Sequence, residues 1–168
     1  YLLHEDESNL FTELKNAGYY VWMNDRIDLV AGQIPGLYES QADEIHSGKT
    51  DPRVMATDHN KPVISNIRGK KGDKFFYSHY LGELTVNNEG INYTSDDSDV
   101  DRCIEMMGED HGGKPVVAFL GLFYPHCPYG VEKPYFSAID RKKLPKRASK
   151  GEGKPLMQEE LRSHMGID

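Results

Sequence analysis

Apolar and polar residues follow first a helical period and then a strand period in "SNLFTELKNAGYYVWM", near the start of the chain. Ser8 can accept the first backbone hydrogen bond of a helix, and Gly18 supplies the left-handed residue that ends it. Residues 19–23 are aromatic and β-branched and predict a strand. The apolar residues at helical spacing between these points are Leu10, Phe11 and Leu14. A helix that returns into a strand in this way is typical of an α/β unit.

The middle of the chain, from residue 30 to about residue 74, has no hydrophobic period and holds much of the glycine and proline. We expect loops there, with one short helix near residues 40–46. The segment "FFYSHYLGEL" then predicts a strand, followed by a turn at residues 87–90. A loop region of this length is usually a functional insertion or a mobile one.

A second helix and strand follow with clearer signals. "YTSDDSDVDRCIEMMGED" begins with a cap at Thr94 or Ser95 and has acidic residues in its first turn. Its apolar residues are spaced as one helical face: Val100, Cys103, Ile104 and Met107. The apolar run 116–123 is typical of a central parallel strand covered on both faces. A last amphipathic helix is expected in "PLMQEELRSHMGID".

Together these elements predict an α/β fold with a mainly parallel sheet flanked by helices, in a single domain over residues 1–168. In such sheets, ligands bind beyond the carboxyl ends of the strands. The segments "NDRIDL" and "YPHCPYG" follow two of the predicted strands and occupy those positions.

Charge and cysteine content narrow the choice of partners. The chain has 27 acidic and 20 basic residues and a formal net charge of −7, which argues against nucleic acid or an anionic membrane as a partner. Two cysteines are too few for a disulfide scaffold or a four-thiolate metal site. No apolar stretch is long enough to span a bilayer and no signal peptide is visible, so we expect a cytoplasmic location. Because the chain begins at Tyr1 rather than methionine, we also expect it to be a piece of a longer protein.

Several short patterns do not carry a site. "SGKT" lacks the P-loop glycine, because Asp43 occupies its position. "HEDE" near the start has no further residue at ligand spacing. The acidic run at residues 96–101 lacks the glycine and the distal glutamate of a calcium-binding EF-hand loop, and its position at a helix start explains its charge.

His126 is the residue most suited to chemistry. It follows the apolar run 116–123, and Pro125 and Pro128 on either side restrict its backbone. An imidazole held in this way can donate a hydrogen bond to an oxyanion or a proton to a leaving group. On these residues alone, a histidine with a purely structural role in a rigid loop remains the alternative.

The segment "FLGLFYPHCPY" resembles the sulfatase pattern of a hydrophobic strand that ends in Pro-His-x-Pro-Tyr. Upstream, "LFTELKNAGYYVWM" resembles the helix–strand segment of the same family, and the two occur in the family's order. The likeness covers most of the chain. The chain is identified as a middle segment of a bacterial sulfatase-like hydrolase of the alkaline phosphatase superfamily, and that resemblance implies the corresponding fold.

The resemblance also implies roles for individual residues. His126 matches the histidine that contacts the sulfate and assists the leaving oxygen. Arg26 falls where the family has a sulfate-binding lysine, and its guanidinium could bind a tetrahedral oxyanion through two hydrogen bonds. Asp28 falls where the family has a histidine, a departure that leaves phosphate or phosphonate esters open as substrates.

Other parts of a sulfatase site are expected outside this chain. The formylglycine nucleophile should lie upstream of Tyr1, and the ligands of the calcium or magnesium ion are not in the chain. The resemblance thus implies a sulfuric ester hydrolase acting on small sulfate esters when complete, whereas the chain alone should be inactive and should tend to self-associate. The alternatives are a phosphoester or phosphonate hydrolase of the same superfamily, and a non-catalytic module that binds an anion or a partner.

Overall fold

The computed structural model describes residues 2–57, 69–70, 73, 76–77, 79–84, 93–146 and 151–166. Two compact units can be distinguished. The first comprises residues 1–57 and 93–124, and the second comprises residues 58–92 and 125–168. The helices and strands, in chain order, are α1 (Leu10–Asn16), β1 (Tyr20–Asn24), β2 (Glu44–His46), α2 (Pro52–Thr57), β3 (Tyr80–Glu83), α3 (Ser95–Met107), β4 (Val116–Phe119), β5 (Tyr129–Val131), α4 (Tyr135–Ala138) and α5 (Leu156–Met165).

The first unit contains a three-stranded parallel sheet with the order β2–β1–β4. Strand β1 lies in the middle and four of its five residues are buried, because it packs against α1 on one face and α3 on the other. The predicted α/β character and parallel pairing are therefore present. The prediction of a central strand at 116–123 is wrong for the described sheet: β4 ends at Phe119, lies at the edge and is largely exposed.

Helix α1 and strand β1 form as their local sequence predicts, with a shift of one residue. The N-cap is Asn9 rather than Ser8, and its side-chain oxygen accepts hydrogen bonds from the amides of Phe11 and Thr12. Gly18 has a φ of 88°, the left-handed conformation that lets the chain turn from the helix directly into the strand. Phe11 is the buried residue of α1 and packs in the core beside β1.

Helix α3 begins at the predicted cap, Thr94, but buries a different face from the predicted one. Ile104 and Met107, which belong to the predicted apolar face, are exposed. The buried residues are Asp96, Ser98, Asp99, Cys103 and Met106. Only the last two join the apolar cluster around Trp22 of β1. The carboxylates of Asp96 and Asp99 accept hydrogen bonds from loop backbone.

The second unit contains a two-stranded parallel sheet of β3 and β5. Gly130 of β5 packs closely against the end of β3. A Cβ at residue 130 would lie 2.7 Å from a methyl carbon of Leu84, the residue that follows β3. Helix α5 confirms the predicted last helix, and its apolar residues are exposed: Leu156, Met157 and Leu161. The predicted turn at residues 87–90 lies outside the described residues. The expected self-association stays a prediction.

The loop prediction for the region from residue 30 onward holds only in part. The short helix expected near residues 40–46 is present only as a 3-10 turn at Glu39–Gln41, and residues 44–46 form β2 instead. Helix α2 was also not predicted. In the described part of the chain, no helix is long and apolar enough to cross a membrane.

Candidate functional site

The three strands of the first unit are parallel, so their carboxyl ends lie at one edge of the sheet. Strand β1 ends at Asn24, β2 at His46 and β4 at Phe119. The segments that follow these strands carry the polar residues described below.

Asn24 joins the end of β1 to the segment that follows β4. Its side-chain amide donates to the carbonyl oxygen of Gly121 at 2.7 Å, and its side-chain oxygen accepts from the amide of Gly121 at 2.8 Å. The same amide group also donates to Asp99 at 2.9 Å. Asn24 is completely buried, so these contacts replace all of its hydrogen bonds to water.

Asp99 is a buried carboxylate of α3 that binds the end of β1 and the segment after β2. One oxygen accepts from Asn24, and the other accepts from the backbone amide of Gly48 at 2.8 Å. Burial raises the pKa of Asp99, while the hydrogen bonds from Asn24 and Gly48 and the nearby His46 act in the opposite direction.

Ser98 and His46 form a pair that superficially suggests a nucleophile and its base. His46 Nε2 lies 3.2 Å from Ser98 Oγ, but Ser98 donates its own proton to Asp51 at 2.8 Å. The Ser98 oxygen therefore accepts from His46, which makes Nε2 the protonated nitrogen. Since Ser98 is only 2% exposed, the pair is a structural connection between α3 and the end of β2.

Asp25 forms an ion pair with Lys49 of the segment after β2. Its carboxylate accepts from Ser47 Oγ at 2.7 Å and pairs with Lys49 Nζ at 3.2 Å.

Burial, with the nearby carboxylates of Asp25, Glu39 and Asp28, raises the pKa of Tyr38 to about 12. Tyr38 is therefore a neutral phenol at physiological pH.

Arg26, the predicted sulfate-binding residue, lies two residues after β1. Its guanidinium carbon lies 4.3 Å from the centre of the Phe123 ring, a cation–π contact with a residue that follows β4. Among the described residues Arg26 makes no ion pair, in contrast to Lys49. Asp28, the departure from the family pattern, is exposed.

Asp96, in the first turn of α3, binds the same segment from the other side. One carboxylate oxygen accepts from the amide of Phe123 at 2.7 Å, and the other accepts from the amide of Tyr124 at 2.8 Å. Tyr124 directly precedes Pro125 and His126 in the chain.

His126 belongs to the second unit and is exposed. Its Nδ1 lies 2.6 Å from the carbonyl oxygen of Cys127. Because a carbonyl can only accept, Nδ1 carries the proton, and Nε2 is the basic nitrogen of the neutral ring.

No protein-family model matches the chain, and no curated protein matches it. The assignment of function therefore rests on the sequence resemblance and on the geometry of the described residues.

The divalent metal implied by the resemblance does not fit the residues of this chain that the structure describes. No group of three or more histidine, cysteine, aspartate or glutamate side chains there is arranged to hold a metal ion. The carboxylate of Asp99 is taken up by Asn24 and Gly48, and that of Asp96 by two backbone amides. We therefore assign no step to a metal held by these residues.

Sequence reasoning singled out Arg26 and His126 but missed Asn24, Asp96 and Asp99. The position of the acidic run 96–101 at a helix start explains its charge but not the contacts of Asp96 and Asp99. Its spacing contained a further signal, because Asp96 and Asp99 are three residues apart and so lie on one side of a helix.

Proposed function

We propose that the chain is part of a sulfatase-type hydrolase, in which Arg26 binds the sulfate oxygens of a small sulfate ester. The observation that carries this proposal is the state of the Arg26 side chain. Its guanidinium follows the carboxyl end of a central parallel strand, rests on Phe123 and has no carboxylate partner among the described residues.

The contact with Phe123 suits Arg26 to bind a tetrahedral oxyanion. Stacking limits the motion of a long side chain, so less conformational entropy is lost when the guanidinium binds. Its planar donors can form two parallel hydrogen bonds to an anion, and such charge-assisted bonds are about twice as strong as neutral ones. Lys49 is a weaker candidate because Asp25 already neutralises it.

His126 retains in this proposal the role that the resemblance implies, protonation of the leaving oxygen. The hydrogen bond from Nδ1 to the carbonyl of Cys127 orients the ring and sets its tautomer. When Nε2 is also protonated, the ring becomes an acid that can donate to a departing alkoxide. The formylglycine nucleophile remains an expectation of the family resemblance, upstream of Tyr1.

The proposal is tested first by anion binding to the chain itself. Arg26 and His126 side-chain resonances are followed by NMR while inorganic sulfate is added, with inorganic phosphate in a parallel titration. We expect saturable shifts with sulfate, and we expect Arg26→Gln to weaken binding about tenfold or more, the value of one charge-assisted hydrogen bond. Preference for phosphate would favour the phosphoester alternative.

Lys49→Gln is the matched control, since it removes the same charge from a neighbouring segment. Sulfate affinity should change less than about twofold, because Lys49 is exposed and already paired. Equal losses in the two variants would mean that sulfate responds only to net charge, and the proposed role of Arg26 would be wrong. If the wild-type chain shows no saturable shift, sulfate binding itself is refuted.

A further inference from the structure

A buried carboxylate binds the segment on which Arg26 rests. Asp96 is 9% exposed, and its two oxygens accept from two consecutive backbone amides, those of Phe123 and Tyr124. These amides follow β4, which ends at Phe119, so they lie beyond the pairing of β4 with β1. Asp96 therefore does for this segment what a neighbouring strand would do.

The position of Asp96 in α3 suits it to bind these two backbone amides. It lies in the first turn of a 13-residue helix, where the helix dipole favours a negative charge. Asp97, the next residue, uses its carboxylate differently: it closes the capping box on the amide and hydroxyl of Thr94. One carboxylate of this turn thus caps the helix, and the other binds the segment after β4.

We propose that Asp96 is a positioning residue for anion binding by Arg26, because it fixes the backbone that carries the Phe123 ring. This inference rests on the proposed function. Asp96 touches neither the anion nor Arg26. It acts through Phe123, whose ring restrains the guanidinium in the orientation that binds the oxyanion.

The test compares Asp96→Asn with Asp97→Asn in the 168-residue chain. Both remove one negative charge from the same helical turn, but only the first alters the contacts with Phe123 and Tyr124. An asparagine at residue 96 keeps one acceptor oxygen and turns its amide group toward a second donor, so one of the two bonds is lost. The measurements are amide hydrogen exchange, the ring-current shift of the Arg26 side chain, the sulfate dissociation constant, and urea unfolding.

For Asp96→Asn we expect the Phe123 or Tyr124 amide to exchange about tenfold faster or more, the loss expected for one hydrogen bond to a charged group. The upfield ring-current shift of Arg26 should shrink, and sulfate binding should weaken about tenfold. For Asp97→Asn the exchange, shift and affinity should stay within about twofold of wild type, although the weaker cap lowers stability by about 1 kcal/mol. A merely structural role for Asp96 would change stability without changing the Arg26 shift.

Failure of this inference differs from failure of the proposed function. If wild-type chain binds sulfate and Asp96→Asn binds it within twofold, positioning by Asp96 is wrong. If wild-type chain binds no sulfate, the proposed function fails, and an anion role for Asp96 fails with it; amide exchange and the Arg26 shift then decide only whether Asp96 fixes the segment.

Two measurements keep the inference falsifiable if Asp96→Asn does not fold. In wild-type chain, scalar couplings across the hydrogen bonds from the Phe123 and Tyr124 amides to the Asp96 carboxyl carbon should be detectable, and their absence would overturn the geometry. Phe123→Leu removes the ring without touching these bonds. It should weaken sulfate binding about as much as Asp96→Asn is expected to, and unchanged affinity would overturn the route through Phe123.

Discussion

Replacement of Asn24 by alanine should destabilise the first unit strongly, because it removes buried hydrogen bonds. The substitution removes two neutral hydrogen bonds to Gly121 and one to the Asp99 carboxylate, in a place that water does not reach. At about 1 kcal/mol for each neutral bond and about 2 kcal/mol for the charged one, the loss is about 4 kcal/mol. Since a domain is stable by only about 5–15 kcal/mol, a large part of the stability depends on this side chain.

The effect is measured by urea unfolding, with the fluorescence of Trp22 as the probe, because Trp22 is buried in β1 beside Asn24. The matched control is Asn16→Ala, which makes the same chemical change at an exposed residue at the end of α1. The control should change the free energy of unfolding by less than about 0.5 kcal/mol. A cost below about 1 kcal/mol for Asn24→Ala would show that Asn24 does not join the strand ends as described.

Two further predictions concern the neighbouring groups. Gly48→Ala should lower the free energy of unfolding in urea by about 2 kcal/mol or more, because the new Cβ would overlap the backbone carbonyl oxygen of Ser95. Gly32 has open space around it, so Gly32→Ala is the control and should change stability little. Equal effects of the two substitutions would contradict the close packing at Gly48. Since burial raises the pKa of Asp99 in the folded state, its contribution to stability is complete below the ordinary aspartate pKa of about 4 and is lost as the pH rises through the raised value. The free energy of unfolding of wild type, measured relative to that of Asp99→Asn, should therefore decrease as the pH rises through that window, and parallel curves would show that Asp99 does not titrate as inferred.

The elements that the sequence predicted well are those with local signals. Helix α1 and strand β1 lie within a residue or two of their expected positions, because Gly18 forces the turn between them. Helix α3 begins at Thr94 as expected, because the capping box with Asp97 is a contact between residues three apart. Such signals need no knowledge of the rest of the chain.

Strand β2 could not be predicted because its partners are distant in sequence. Glu44 pairs with Trp22 across the sheet, and its carboxylate accepts two hydrogen bonds from the guanidinium of Arg102 in α3. A three-residue strand that contains a glutamate has no hydrophobic alternation to reveal it. Only the folded chain, which brings α3 and β1 beside it, makes this segment a strand.

The same reasoning explains why only some of the residues around the candidate site could be predicted from the sequence. Arg26 was singled out because the family resemblance places it where sulfatases have a sulfate-binding lysine, and that likeness can be seen in the sequence alone. Asp96 was missed because its function depends on where the chain goes after β4, and a continuous apolar run to residue 123 concealed that the strand ends at Phe119. Hydrophobic periodicity locates the strands of such a sheet, whereas the polar residues that bind the backbone beyond their ends become apparent only when the hydrogen bonds of that backbone are accounted for.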